Sequence, residues 1–274
     1  MLINKKENIM IAQGVESNTN INNNTLVIGN NNSGKYKSFI MPNLKNLLGS
    51  YVITDKNDKI YNKTNEFFKK NNYEIIKIDL DKKSEYNPFM YMEDELDVSE
   101  FSNMITKGNN KANDVFYEDL CEIMLECIIQ YARLKDIEKQ NLYYVTRVID
   151  KIKEKDVDYF FALMSKMNIN IELLEKINDK IYSLVLGMLK EKLNSIGIQN
   201  IKNISCNYKI DFSKILAKRT VLYVNISEST VINGIFFKDI INRLYKFIDF
   251  KISSNIITTY FILDNFDKLG YISM

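Results

Sequence analysis

The sequence predicts a mixed α/β fold, a mainly parallel β-sheet with an all-helical insertion, and three observations carry that prediction. Short apolar runs bounded by turn residues alternate with segments of helical spacing from Thr25 to about Glu93. From about Asp94 to Asn200 the chain is almost wholly helix-forming. Apolar strand runs then return near Thr220 and Ile256. Alternation of strand and helix places strands side by side in parallel.

Taken in order, residues 1–24 form a polar leader ending in the asparagine-rich stretch NTNINNN. TLVIG, Thr25–Gly29, reads as a short, fully buried strand that belongs at the centre of the sheet. Helical spacing runs from Phe39 to Leu48, a strand from Ser50 to Thr54, a helix around Lys59 to Lys70 and a strand from Glu74 to Leu80. Within the insertion, DVFYEDLCEIMLECIIQYARLK (Asp114 to Lys135) is the clearest amphipathic helix. Its stripe of Phe116, Leu120, Met124 and Ile128 is expected to form the insertion's own core rather than a docking groove. A strand at Thr220–Ile226, a helix through Phe236–Phe250 and a strand at Ile256–Asp264 follow. The expected division is a leader (1–24), a nucleotide-binding domain (25–93 with 205–274) and an all-α domain (94–204).

Composition removes whole classes of chemistry. The chain has 37 Lys and Arg against 35 Asp and Glu, a net charge of +2, so no overall field attracts nucleic acid or an anionic membrane, and any such contact is local. With no histidine, histidine triads and histidine general bases are excluded. Three cysteines, Cys121, Cys127 and Cys206, make neither a Cys/His zinc site nor a full disulfide framework, which points to a reducing cytoplasm. No apolar run reaches the roughly 18–20 residues that span a bilayer, and MLINKKENIMIAQG lacks a signal-peptide core.

The chemistry-bearing motif lies between the first strand and first helix. Gly29, Asn30, Asn31, Asn32, Ser33, Gly34 and Lys35 spell G-x-x-x-x-G-K. Glycines let such a loop turn back and aim N–H groups at phosphate oxygens, while the lysine neutralises the terminal phosphates. Asparagine is the non-glycine residue that best tolerates left-handed backbone, so the three asparagines suit the loop. The eighth position of this Walker A pattern normally carries a Ser or Thr hydroxyl for magnesium and here is Tyr36. Its rigid ring carries the oxygen too far from the backbone for that task. The last strand, TYFILD, ends in Asp264, expected at the same edge of the sheet as Lys35 and suited to holding magnesium as a Walker B carboxylate. Asn265 stands where a glutamate commonly polarises the attacking water and cannot accept a proton as a carboxylate does.

An ordered succession of phrases resembles the type IV secretion coupling proteins, the TraG-type conjugal transfer ATPases. The phrases are NNNTLVIGNNNSGK, MPNL from Met41, SYVITDKNDKIYNKT from Ser50, NNYEIIKIDL from Asn71, YNPFMY from Tyr86 and ILDNFDKLG near the end. The resemblance covers most of the chain from Asn22 to Gly270. It implies a RecA-like P-loop NTPase core with an inserted all-α domain. ATP phosphates would lie on Gly29 to Tyr36, and Mg2+ on Asp264 with its binding impaired. The implied partners are a DNA or nucleoprotein substrate, secretion-channel ATPases and like or unlike subunits in a ring. Such a protein would work in the cytoplasm, at the inner face of the bacterial membrane. Asp55 matches an aspartate of the family phrase without an assigned role. The departures are Tyr36, Asn265, the absence of the membrane segments usual before the motor, and an end just after Asp264; together they suggest a truncated or decaying copy, or a fragment of a split gene.

Three functions compete. One is an ATP-driven coupling motor; the second is a non-catalytic, nucleotide-binding or interaction module that associates with an intact coupling protein, or a decayed product without activity. Tyr36 and Asn265 favour the second. A small-molecule kinase shares the loop, but such enzymes close arginine-bearing lids over phosphates, and arginine here is confined to Arg133, Arg147, Arg219 and Arg243.

Overall fold

The structure is a computed structural model describing residues 2–3, 10–12, 25–30, 33–80, 86–108, 115–154, 157–167, 169–197, 201–202, 209–250 and 257–269. A small antiparallel pair, β1 (Leu2–Ile3) and β2 (Met10–Ala12), forms inside what the sequence marks as a polar leader. The main sheet contains β3 (Ser50–Asp55), β4 (Glu74–Asp79), β5 (Thr220–Asn225) and β6 (Thr259–Leu263). Its order is β4, β5, β3, β6, with every neighbouring pair parallel. All residues of β3 and β5 are buried, whereas β4 and β6, at the edges, are mostly half-buried. Such continuous apolar runs are what inner parallel strands require, since helices cover both faces.

On one face, Leu44 of α1 (Met41–Lys45) and Phe68 of α2 (Tyr61–Lys70) pack with Tyr51, Ile53, Val221 and Tyr223. On the other, Val52, Ile78, Leu222 and Val224 open a core that runs without a break into the helical segment. That segment consists of α3 (Glu95–Thr106), α4 (Val115–Arg133), α5 (Leu142–Glu154), α6 (Val157–Lys166), α7 (Glu172–Glu175) and α8 (Asp179–Ile196). The chain returns through α9 (Ser213–Ala217) to β5, and α10 (Thr230–Phe250) then leads on towards β6. The whole insertion therefore leaves the sheet after β4 and re-enters at its immediate neighbour β5. No described helix is long and apolar enough to cross a membrane.

The expected strand at Thr25–Gly29 is a correction. Thr25 to Asn30 has no regular structure, with Leu26 76% and Ile28 86% exposed. The central place expected for it is filled, because β3 is paired on both edges by β5 and β6, and β5 by β4 and β3. An apolar run encodes a preference for burial, not the identity of its partner. Phe116 is a second correction: Leu120, Met124 and Ile128 are buried as expected, but Phe116, in the first turn of α4, is 54% exposed.

A buried charge cluster joins α10 to the insertion. Arg243 donates to Asp97 on α3 and to the Tyr91 carbonyl at 3.0 Å, and lies 3.1 Å from Asp239. The Tyr86 hydroxyl donates to Asp239, and Lys246 reaches Asp97 at 2.5 Å. Asp97 also closes a reciprocal cap with Asp94 at the start of α3. Burial alone would raise the Asp97 carboxyl, but the Lys246 hydrogen bond, the Glu93 N–H and the Arg243 charge hold it at about 2. Asp239 is pushed up by desolvation against the pull of Arg243. Nearby in the insertion, burial pushes the thiols of Cys121 and Cys127 up to about 11 and about 12, so both stay protonated and unreactive at neutral pH.

Candidate functional site

Parallel pairing fixes what stands along the carboxyl-terminal edge of the sheet. Asp79 pairs with Asn225, and Asn225 with Asp55. Thr54 pairs with Leu263, so Asp264 follows beside Asp55. In open α/β sheets this edge is where ligands bind. Asp55 is occupied locally: its carboxylate accepts the Ile60 N–H at 3.0 and 2.9 Å and the Tyr61 N–H at 2.7 Å, capping the start of α2. Burial pushes this carboxyl up, those N–H groups oppose the shift, and Asp58 and Asp264 add to it. The Asp55 of the family phrase thus has a structural task.

Asp264 is half-buried, and its carbonyl accepts from the Thr54 hydroxyl at 2.8 Å. Asn265 follows with φ 55°, a left-handed conformation that asparagine adopts more readily than glutamate, and its carbonyl accepts the Lys268 N–H at 2.8 Å. Buried Asn233, near the start of α10, binds both backbone groups of Ser227 and the Lys268 carbonyl, each at 2.8 Å. It thereby fastens the loop after β5 to the turn after β6.

In the loop, Ser33 N–H bonds the Asn30 carbonyl at 3.2 Å, and Gly34 has φ +88°, a conformation that a side chain would strain. Ser38 N–H bonds the Gly34 carbonyl at 2.9 Å and starts the helix, whose first stretch, Tyr36–Ile40, is a π-turn running into α1. Lys35 Nζ donates to the carbonyls of Gly29 and, at 2.9 Å, Asn30. The ammonium is folded onto its own loop, where an anion would compete for it. Asn31 and Asn32 lie outside the described residues.

Tyr36 connects loop and edge. Burial pushes its phenol up, and Asp55 and then Asp264 reinforce the shift, so the hydroxyl stays neutral at physiological pH. Its buried oxygen has no hydrogen-bond partner among the described residues. Lys63 Nζ lies 4.7 Å and Lys59 Nζ 5.4 Å from the ring centroid, each contact contributing roughly 0.5–1 kcal/mol. These two lysines were missed in the sequence. The sequence shows only their spacing of four after the second strand; Lys59 lies in the turn before α2 and Lys63 in its first turn.

The magnesium expected at Asp264 does not fit this donor set. A magnesium ion at such a loop takes one or two carboxylates and a short hydroxyl beside phosphate and water oxygens. The phenol of Tyr36 replaces a short hydroxyl, and Asp55 is engaged with main-chain N–H groups. Beside the carboxylates of Asp55 and Asp264, the loop and Tyr36 carry hydrogen-bond donors and positive charge: Lys35 on the loop, the Tyr36 hydroxyl, and Lys59 and Lys63 at the Tyr36 ring. Such a set suits an anion.

A parallel sheet interrupted by a helical insertion, with a Gly/Lys loop leading into the first helix, defines the class of RecA-like α/β folds. Comparison with solved structures agrees: the chain is similar to the bacterial conjugative coupling protein TrwBdeltaN70 in its trigonal form in complex with sulphate, with a TM-score of 0.50, 7% identity and 78% of this chain covered. The unbound monoclinic form of the same protein matches with a TM-score of 0.46 and 9% identity. The chain covers 55% of the first of these structures. A search of curated protein sequences gives no match. The family model described as Type IV secretory system Conjugative DNA transfer matches residues 2–274, and the chain belongs to that family.

Proposed function

We propose that this chain is a nucleotide-binding, hydrolysis-deficient coupling protein of a conjugative DNA-transfer system. The observation that carries the reading is Lys35, turned onto the carbonyls of its own loop and followed by Tyr36, whose hydroxyl has no partner among the described residues. ATP phosphates would displace those carbonyls and take up the N–H groups of the loop from Gly29 to Tyr36. Tyr36 and Asn265 favour action as a binding module beside a complete coupling protein. On family membership we assign it a DNA or nucleoprotein substrate, neighbouring secretion ATPases and a place at the cytoplasmic face of the membrane.

Calorimetry on the full chain tests the reading. Lys35→Ala removes a charge-assisted phosphate contact and is expected to weaken ATP binding by one to two decades, about 1.5–3 kcal/mol. Equal affinity in the variant and the parent would sink the assignment of the loop. ATP turnover is expected to lie at least about 10²-fold below the ~1–10 s⁻¹ of ordinary enzymes, because no positioned base faces the attacking water.

A further inference from the structure

We propose that Lys59 and Lys63 take the place of the divalent cation, so that this site holds a nucleoside triphosphate by ammonium groups and without magnesium. The inference rests on the nucleotide reading above and concerns how the phosphates are neutralised.

Two lysines together carry the same charge as one divalent cation. Both approach the residue that replaces the magnesium-binding hydroxyl, since their Nζ atoms lie 5.4 and 4.7 Å from the centre of the Tyr36 ring. Neither forms an ion pair with any described residue, whereas Lys56 and Lys77 beside them are paired with Glu228 and Asp58. Their charge is therefore free to meet a ligand. Asp55 is turned to the N–H groups of Ile60 and Tyr61.

The phenol completes the set. It feels the charges of Asp55 and Asp264, remains protonated and has its buried hydroxyl without a partner among the described residues. A neutral O–H can donate to a phosphate oxygen but is a poor ligand for a hard cation, which takes carboxylate, carbonyl and water oxygens. Lysine serves phosphates as a mobile point charge. Tyr36, which as a Walker residue looks like a lesion, thus acts as a platform on which two cations are held for an anion.

The test is ATP binding by calorimetry on the full chain, in magnesium and in EDTA. The expected result is an affinity that changes by less than about threefold when magnesium is removed, and that falls roughly tenfold in Lys63→Ala and more in the Lys59→Ala, Lys63→Ala double variant. Lys70→Ala, on the last turn of α2, loses the same charge away from the site and is expected to change affinity less than about twofold. All of these side chains are exposed, so the variants are expected to fold as the parent does. A tenfold or greater loss in EDTA, or an equal loss in Lys70→Ala, overturns the inference while leaving the nucleotide site standing. Binding indifferent to Lys35→Ala, or no ATP binding at all, sinks both.

Discussion

Charge is handled in opposite ways at the loop that leads into α1 and on α10. Towards its carboxyl-terminal end, Asp97, Asp239, Arg243 and Tyr86 are each 3% exposed or less and are bound to one another. At the loop, Lys59 and Lys63 are exposed and form no ion pair with a described residue, and the Tyr36 hydroxyl is buried without a partner among the described residues. Buried ion pairs hold elements together because removing one member leaves the others desolvated. An open set of donors contributes little to the fold and is available to a ligand. The difference separates side chains that maintain this molecule from those that can act.

The largest test of that contrast is Arg243→Ala, which leaves Asp97 and Asp239 buried without their shared partner. It is expected to destabilise the protein by about 3–5 kcal/mol in urea unfolding. A loss below ~1 kcal/mol would show that the cluster does not hold the insertion to the sheet. Next, Ile53→Ala, in the fully buried β3, is expected to cost about 2–5 kcal/mol.

Asp97→Asn comes third, with an effect that depends on pH. The folded carboxyl, at about 2, lies below the ordinary value of 3.8. Its contribution of about 2 kcal/mol is therefore present above pH ~4 and is lost as the pH falls towards 2. The gap between variant and parent is expected to be full at pH 7 and to close over that interval; a gap independent of pH would mean packing, not charge, is at issue. The smallest expected effect is Ile28→Ala, within about 0.5 kcal/mol, because Ile28 is 86% exposed. A loss comparable to that of Ile53→Ala would place TLVIG back inside the sheet.

The sheet was readable where period and burial coincide. β3 and β5 sit within a residue of the runs SYVIT and TVLYVNI, because an inner parallel strand is apolar on both faces. TLVIG has the same composition and does not pair, since partner choice depends on which strand edges are already filled. The loop's glycines and Lys35 were legible from spacing. Lys59 and Lys63 were not recognised, because exposed lysines in and before a helix are usually only solvated, and their approach to Tyr36 needs the turn after Asp55. The buried cluster was hidden for a plainer reason: Tyr86, Asp97, Asp239 and Arg243 meet only after the insertion has folded back.

Asn233 and Arg243 stand ten residues apart on α10, about 15 Å along a rod that resists compression. One is anchored to the turn that follows Asp264, the other to the first helix of the insertion. The helix is thus a strut with a joint at each end. When the turn after β6 tilts, the insertion must swing with it, or a hydrogen bond at Lys268 or an ion pair at Asp97 must break.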